Sequence, residues 1–181
     1  MMNTHLPDYI AEQLKQPFGQ ILSTENFGEV VNDIAELIFH GQLTREKVEN
    51  LLNEYGIKNY DKIKNGILNL ILSYITWVLQ DNYITTKEAD SVKFLKQFFK
   101  IKEGDFYQTR FHEVERILDK QLEHMYQDDT IIIEEALQKV ELQQLFDLSY
   151  DQFLELSNKA VKNALSRGAD PSDLDTFVKL Y

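Results

Sequence analysis

The chain has no cysteine, three prolines, seven glycines and one tryptophan among 181 residues. Without cysteine, disulfides, thiolate nucleophiles and thiolate metal sites are excluded. So few prolines and glycines leave little room for strands joined by tight turns, for long loops or for disorder. Basic residues are also scarce: 19 Lys and Arg face 30 Asp and Glu, a formal charge of −11. That balance disfavours nucleic acid, whose binders present a basic face to phosphate, and anionic lipid surfaces. Long apolar runs are missing as well. The most apolar stretch, Ile67 to Leu79, contains Asn69 and Ser73 and would span about 20 Å as a helix, too little for a bilayer. The first residues, Met1 to Asp8, lack a basic segment leading into an apolar one, so no signal peptide is expected. These features together predict a cytoplasmic protein with no direct membrane insertion.

What the chain does have is helical periodicity. Apolar residues make up 43% of it, enough for an ordinary core, and one domain is the default at this length. The i, i+3, i+4 pattern predicts a short leading helix from Leu6 to Gln16, stopped near Pro17 and Gly19. Further helices are expected over Glu25–His40, Thr44–Tyr55, Tyr60–Gln80, Thr85–Lys100, Asp105–Gln127, Ile132–Phe146 and Tyr150–Arg167, with a last turn from Pro171. Tyr60–Gln80 is apolar nearly all round and reads as the central buried helix. The expected fold is an all-α, compact single-domain bundle of eight to nine helices over residues 1–181. Residues 1–24 supply the leading helix and 166–181 the C-terminal tail.

The chain also echoes itself. Asp81-x-x-Ile84-x-x-x-Glu88 returns as Asp128-x-x-Ile131-x-x-x-Glu135, an offset of 47 that also matches Leu95 with Leu142, Phe99 with Phe146 and Phe106 with Phe153. A fainter copy upstream has His40 and Lys47 where the acids would stand. A period near 47 predicts internal helix–turn–helix pseudo-repeats. Asp81, Glu88, Asp128 and Glu135 are the candidate metal ligands, because paired carboxylates at an exposed turn suit a hard cation such as Ca²⁺ or Mg²⁺. An EF-hand is ruled out, since Trp77 and His124 stand where its first acids belong. A structural role competes. Thr85-Thr86-Lys87-Glu88 fits a capping box, acids favour helix N-termini, and Asp81 and Asp128 suit turns. Ile132 offers Glu135 no such capping partner.

These two acidic turns, with Leu145-Phe146-Asp147-Leu148-Ser149 closing the unit, resemble the TerB-like family of all-helical bacterial domains related to the tellurite-resistance protein TerB. The resemblance covers about residues 25–165. It implies a compact helical bundle, involvement in metal or stress responses, and membership of larger complexes near the membrane. It also marks Asp81, Glu88, Asp128 and Glu135 as candidate cation sites; the first copy, with His40 and Lys47, departs from the pattern, so no third equivalent site is expected.

Other chemistry is thin. His112-Glu113-Val114-Glu115-Arg116 puts arginine where a zinc-protease helix needs a second ligand. Glu115, Arg116 and Asp119 read as a solvated charged face, and His124 lies four residues before the Asp128 turn. No nucleophile elbow, phosphate loop or dinucleotide fingerprint occurs. Tyr74, Trp77, Phe94, Phe98 and Phe99 read as core. The sequence therefore predicts a non-enzymatic, TerB-like module that binds an unidentified protein partner, with weak divalent-cation binding at its acidic turns. The competing expectation is an acidic immunity or decoy protein that neutralises a basic partner through surface charge. A metal-dependent hydrolase is a distant third.

Overall fold

The computed structural model describes residues 5–127 and 133–170 of the chain. The fold is all-α: the described residues form nine α-helices and one short 3₁₀ turn, with a single isolated bridge between His5 and Thr44 as their only extended pairing. Among them no helix is long and apolar enough to cross a membrane. The chain divides into two compact units, Met1–Val78 with Thr85–Ile101, and Leu79–Ile84 with Lys102–Tyr181.

The first unit holds α1 (Asp8–Thr24), α2 (Glu29–Phe39), α3 (Arg45–Glu54), α4 (Asp61–Val78) and α5 (Thr86–Phe98). As its pattern predicts, α4 is the buried centre: Ile63, Ile67, Leu68, Leu70, Ile71, Tyr74, Ile75 and Val78 leave solvent as it packs on α1, α2 and α5. Thr44 caps α3 through its side chain, which accepts the Lys47 N–H at 3.2 Å. This satisfies one of the donors a helix start leaves open.

Two boundaries differ from expectation. The leading helix does not stop at Pro17; it runs through to Thr24. Proline removes one helical hydrogen bond and crowds the preceding turn, but Leu14, Pro17, Phe18 and Ile21 are all buried on one face of α1. The area they remove from water outweighs the lost bond. Gly19 belongs to the same contact, because a Cβ there would stand 2.9 Å from the Phe39 ring. The second helix starts at Glu29, four residues late. Asn26 and Asn32 hold the entering chain instead: Asn26 Oδ1 accepts the Gly28 N–H at 2.9 Å, and Asn32 Oδ1 accepts the Phe27 N–H at 3.0 Å. Local Asn bonds of this kind compete with helix.

The second unit begins with the 3₁₀ turn Leu79–Asp81 and continues through α6 (Asp105–Thr109), α7 (Phe111–Met125), α8 (Ile133–Leu145) and α9 (Tyr150–Arg167). Its principal packing is α7 on α9, with α6 and α8 also against α7. Phe106, Leu118, Leu122, Leu142, Phe146 and Phe153 are fully buried. The single helix expected over Asp105–Gln127 is broken at Arg110, whose φ of −135° and ψ of 29° leave the helical region. The break lets Phe106 meet Phe146 edge to face at 5.9 Å while α7 keeps its own stripe of Val114, Leu118 and Leu122. No glycine or proline marks that position, so sequence carries no signal for it.

Helices α2, α3, α5, α8 and α9 end in one common way, with a residue just past the helix in the left-handed region: Gly41, Gly56, Lys100, Asp147 and Gly168. In each, two backbone N–H groups turn back to carbonyls of the last helical turn, a motif that closes helices generally. Lys100 and Asp147 adopt it without being glycine, at φ values of 53° and 49°.

Candidate functional site

The candidate turn is built by the second unit. Leu79–Asp81 winds one 3₁₀ turn, Asn82 takes a φ of 61°, and Ile84 drops into the core at 4% exposure. Gln121 of α7, itself 2% exposed, donates from Nε2 to the Leu79 carbonyl at 3.1 Å and to Asn82 Oδ1 at 3.2 Å. Gln138 of α8 accepts the Ile84 N–H on Oε1 at 2.9 Å. The turn would otherwise bury backbone groups without partners, at a cost of about 1–3 kcal/mol each. Neither glutamine stands out in its sequence context. The available signal is a polar residue inside an apolar stripe, Gln121 between Leu118 and Met125.

Of the nominated carboxylates, Asp81 and Glu88 have local structural roles. Asp81 is exposed, and its Oδ1 accepts the Tyr83 N–H at 3.1 Å, closing an Asx turn. Glu88 completes the capping box expected for it: its Oε2 accepts the Thr85 N–H at 2.9 Å, and Thr85 Oγ1 accepts the Glu88 N–H at 3.3 Å. Thr85 Oγ1 also donates to Glu88 Oε2 at 2.6 Å. Glu135 is half-buried in the first turn of α8. Asp128 and Ile131, the core of the second turn, lie outside the described residues. Among the described residues, no three His, Asp or Glu side chains gather in an arrangement suited to a metal.

The α7 cluster resolves in two directions. His112 Nδ1 pairs with Glu115 at 3.7 Å on an open surface, and His124 is exposed, as a solvated face requires. Asp119 departs from that expectation. It is 8% exposed, and its Oδ2 accepts a 2.7 Å bond from Lys159 Nζ on α9. Its Oδ1 is buried without a hydrogen-bond partner among the described residues. The bond to Asp119, more than the nearby charges of Glu123 and Glu115, holds the Lys159 ammonium above its ordinary range. The correction follows from packing, because α9 covers the side of α7 on which Asp119 sits. Its helical neighbours Leu118 and Leu122 are buried with it.

Two further tyrosines are shaped by burial. Tyr60 and Tyr74 have buried hydroxyls, and desolvation pushes both phenols well above their usual value. Tyr74 lies at the centre of the first unit against Phe18, so it acts as core, in keeping with its place on the apolar face of α4. Trp77 is partly exposed and donates from its indole N–H to Gln20 Oε1 at 3.0 Å. Comparison with protein-family models, with curated proteins and with solved structures returns no match.

Proposed function

We propose that this chain is a non-enzymatic, TerB-like helical protein of the cytoplasm that binds a partner protein, with a stress-related role and weak cation binding at its acidic turns. One observation carries the reading. The Ile84–Gln138 bond ties the candidate turn to α8, and the residues that precede each bonded partner, Tyr83 and Leu137, are 54% and 44% exposed. An exposed tyrosine on a turn pinned by buried Gln121 and half-buried Gln138, with an exposed leucine next to Gln138 on α8, offers a preorganised apolar patch, and tyrosine is among the residues that dominate protein interfaces. Asp81 and Glu134, both exposed, give that patch an acidic rim, which favours a partner with basic residues around an apolar centre.

A photo-reactive amino acid in place of Tyr83, introduced in the cell that makes the protein, is expected to trap one defined protein. The same group in place of Tyr9, which is 61% exposed in the first unit, should trap none. Equal yields at both positions would show that the patch is not the interface.

Cation binding by Asp81, Glu88, Asp128 and Glu135 is weak in this reading because a metal must compete with bonds that Asp81 and Glu88 already make to the backbone. Calorimetric titration of chelator-stripped protein with Ca²⁺ and Mg²⁺ should give a small saturable heat, absent in the Asp81→Asn/Asp128→Asn variant. No heat from a folded wild-type protein would leave these acids as turn and cap residues only.

The charge distribution favours a second reading. Of the 30 acids, 18 fall in Leu79–Ile84 and Lys102–Tyr181 together with 9 of the 19 bases, so that unit carries −9 of the −11. An acidic decoy or immunity protein would use that field alone against a basic partner. Its affinity would then collapse as salt screens the charges.

A further inference from the structure

One face of α9 is turned to the core through Phe153, Leu156, Ser157, Ala160 and Ala164. Beside it runs a narrow line of Leu154, Asn158, Val161 and Leu165, which fall within about 60° of one another on a helix of 3.6 residues per turn. Leu154 and Leu165 are 39% and 38% exposed, Asn158 is exposed and Val161 is half-buried. Asp151 and Lys162, both exposed, flank this line on its side away from the core. We propose that the line is a self-docking surface, on which the α9 of a second copy of this chain lies antiparallel.

The pattern of α9 selects that occupant. In an isologous contact, a two-fold axis across an antiparallel helix pair brings one flank against the same flank of the second copy, in reversed order. A self-complementary helix therefore carries an acid and a base on one flank toward opposite ends, as Asp151 and Lys162 stand here. Glu155 and Lys159, further round α9, are already bonded to Tyr107 and Asp119.

An axis at the midpoint between Leu154 and Val161 sets Leu154 of one copy level with Val161 of the other. At about 1.5 Å per residue, Asp151 then comes within about 3 Å, measured along the helix, of Lys162 of the second copy. The two Asn158 residues fall within about 1.5 Å of one level, beside the axis. A side-chain amide both donates and accepts, so it can pair with its own copy. One polar residue in an apolar seam also fixes its register.

The interface is small. A face of four side chains buries less than the roughly 800 Å² per partner of a standard stable complex, so the dimer is weak and reversible. The unit's charge of −9 opposes association at low ionic strength. At 0.15 M salt that field reaches only about 8 Å, whereas Asp151 and Lys162 act at contact.

The absence of native cysteine makes the test direct. In the full chain at about 0.15 M salt, Asn158→Cys is expected to form a disulfide-linked dimer roughly tenfold faster than Asn163→Cys. Asn163 is exposed on the opposite side of α9. Sedimentation of the unsubstituted chain at up to about 1 mM, the weak end of the affinity scale, supplies a second readout. Its mass is expected to rise from 21.3 kDa toward twice that value. Leu154→Ser/Leu165→Ser, at two exposed positions, should hold it at the monomer. Equal cross-linking rates, a monomer at every concentration, or a dimer indifferent to the serine substitutions would each overturn the proposal.

Discussion

Phe146→Ala is expected to cost about 3–5 kcal/mol, the range for removing a buried aromatic ring from a close-packed core. Phe146 is fully buried, and its ring meets Phe106 edge to face at 5.9 Å. The ring sits at the end of α8, one residue before the left-handed Asp147 that begins the turn into α9. Truncation therefore opens a cavity at the point where α6, α8 and the α8–α9 turn converge. Aromatic pairs of this geometry add about 0.5–1.5 kcal/mol beyond area burial, so Phe106→Ala should cost a similar amount. The double variant should then cost less than the two single losses combined. Hydrogen exchange of α7 and α9 amides is the suitable readout, since the sole tryptophan, Trp77, belongs to the other unit. A loss below about 1 kcal/mol would mean that the site collapses freely and that the two rings are not locked in a close-packed core.

In the first unit the expected large effect is steric. Gly66→Val should destabilise by about 1–3 kcal/mol through overpacking. A Cβ at Gly66 would lie 2.8 Å from Val31 Cγ2 and 3.5 Å from the Phe27 carbonyl oxygen. Val31 is 4% exposed and β-branched, with little rotamer freedom to withdraw. Alanine is the informative control. It introduces the same Cβ but gains about 1 kcal/mol of helix propensity over glycine, so Gly66→Ala should fall near zero while Gly66→Val does not. Combining Gly66→Val with Val31→Ala should recover part of the loss, because the two side chains compete for one space. Urea unfolding followed by Trp77 fluorescence reads this unit. Strictly additive costs would show that α2 and α4 do not approach through Gly66.

The helices were legible wherever one apolar face faces one core. The predicted centre of α4, the Thr44 cap and the Thr85/Glu88 capping box are all observed, because each depends on residues within a few positions. The misses share a cause. Pro17 inside α1, the late start of α2 and the break at Arg110 escape a local pattern. Contacts between distant segments bear on the first and last of these: Gly19 meets Phe39, and Phe106 meets Phe146. Asp119 is the same case for charge. On α7 alone it continues a solvated face, and only α9 with Lys159 makes it a buried pair. At the candidate turn, Asp81, Ile84 and Glu88 were visible in sequence but Gln121 and Gln138 were not. Those two hold the turn from positions 39 to 54 residues away. The structural role of Asp81 and Glu88 at turn and cap was visible locally; the exposure of Tyr83 and Leu137 needed the fold.

Once a partner has been trapped through position 83, the decisive measurement is its Kd for wild type and for Tyr83→Ser/Leu137→Ser, each at low and high salt. The double substitution is expected to weaken binding by at least about 30-fold at both salt concentrations, corresponding to a loss of about 2 kcal/mol at an interface centre. Binding that ignores the substitutions and collapses with salt would contradict the apolar-patch interface, and would identify an acidic decoy acting through the second unit's charge alone.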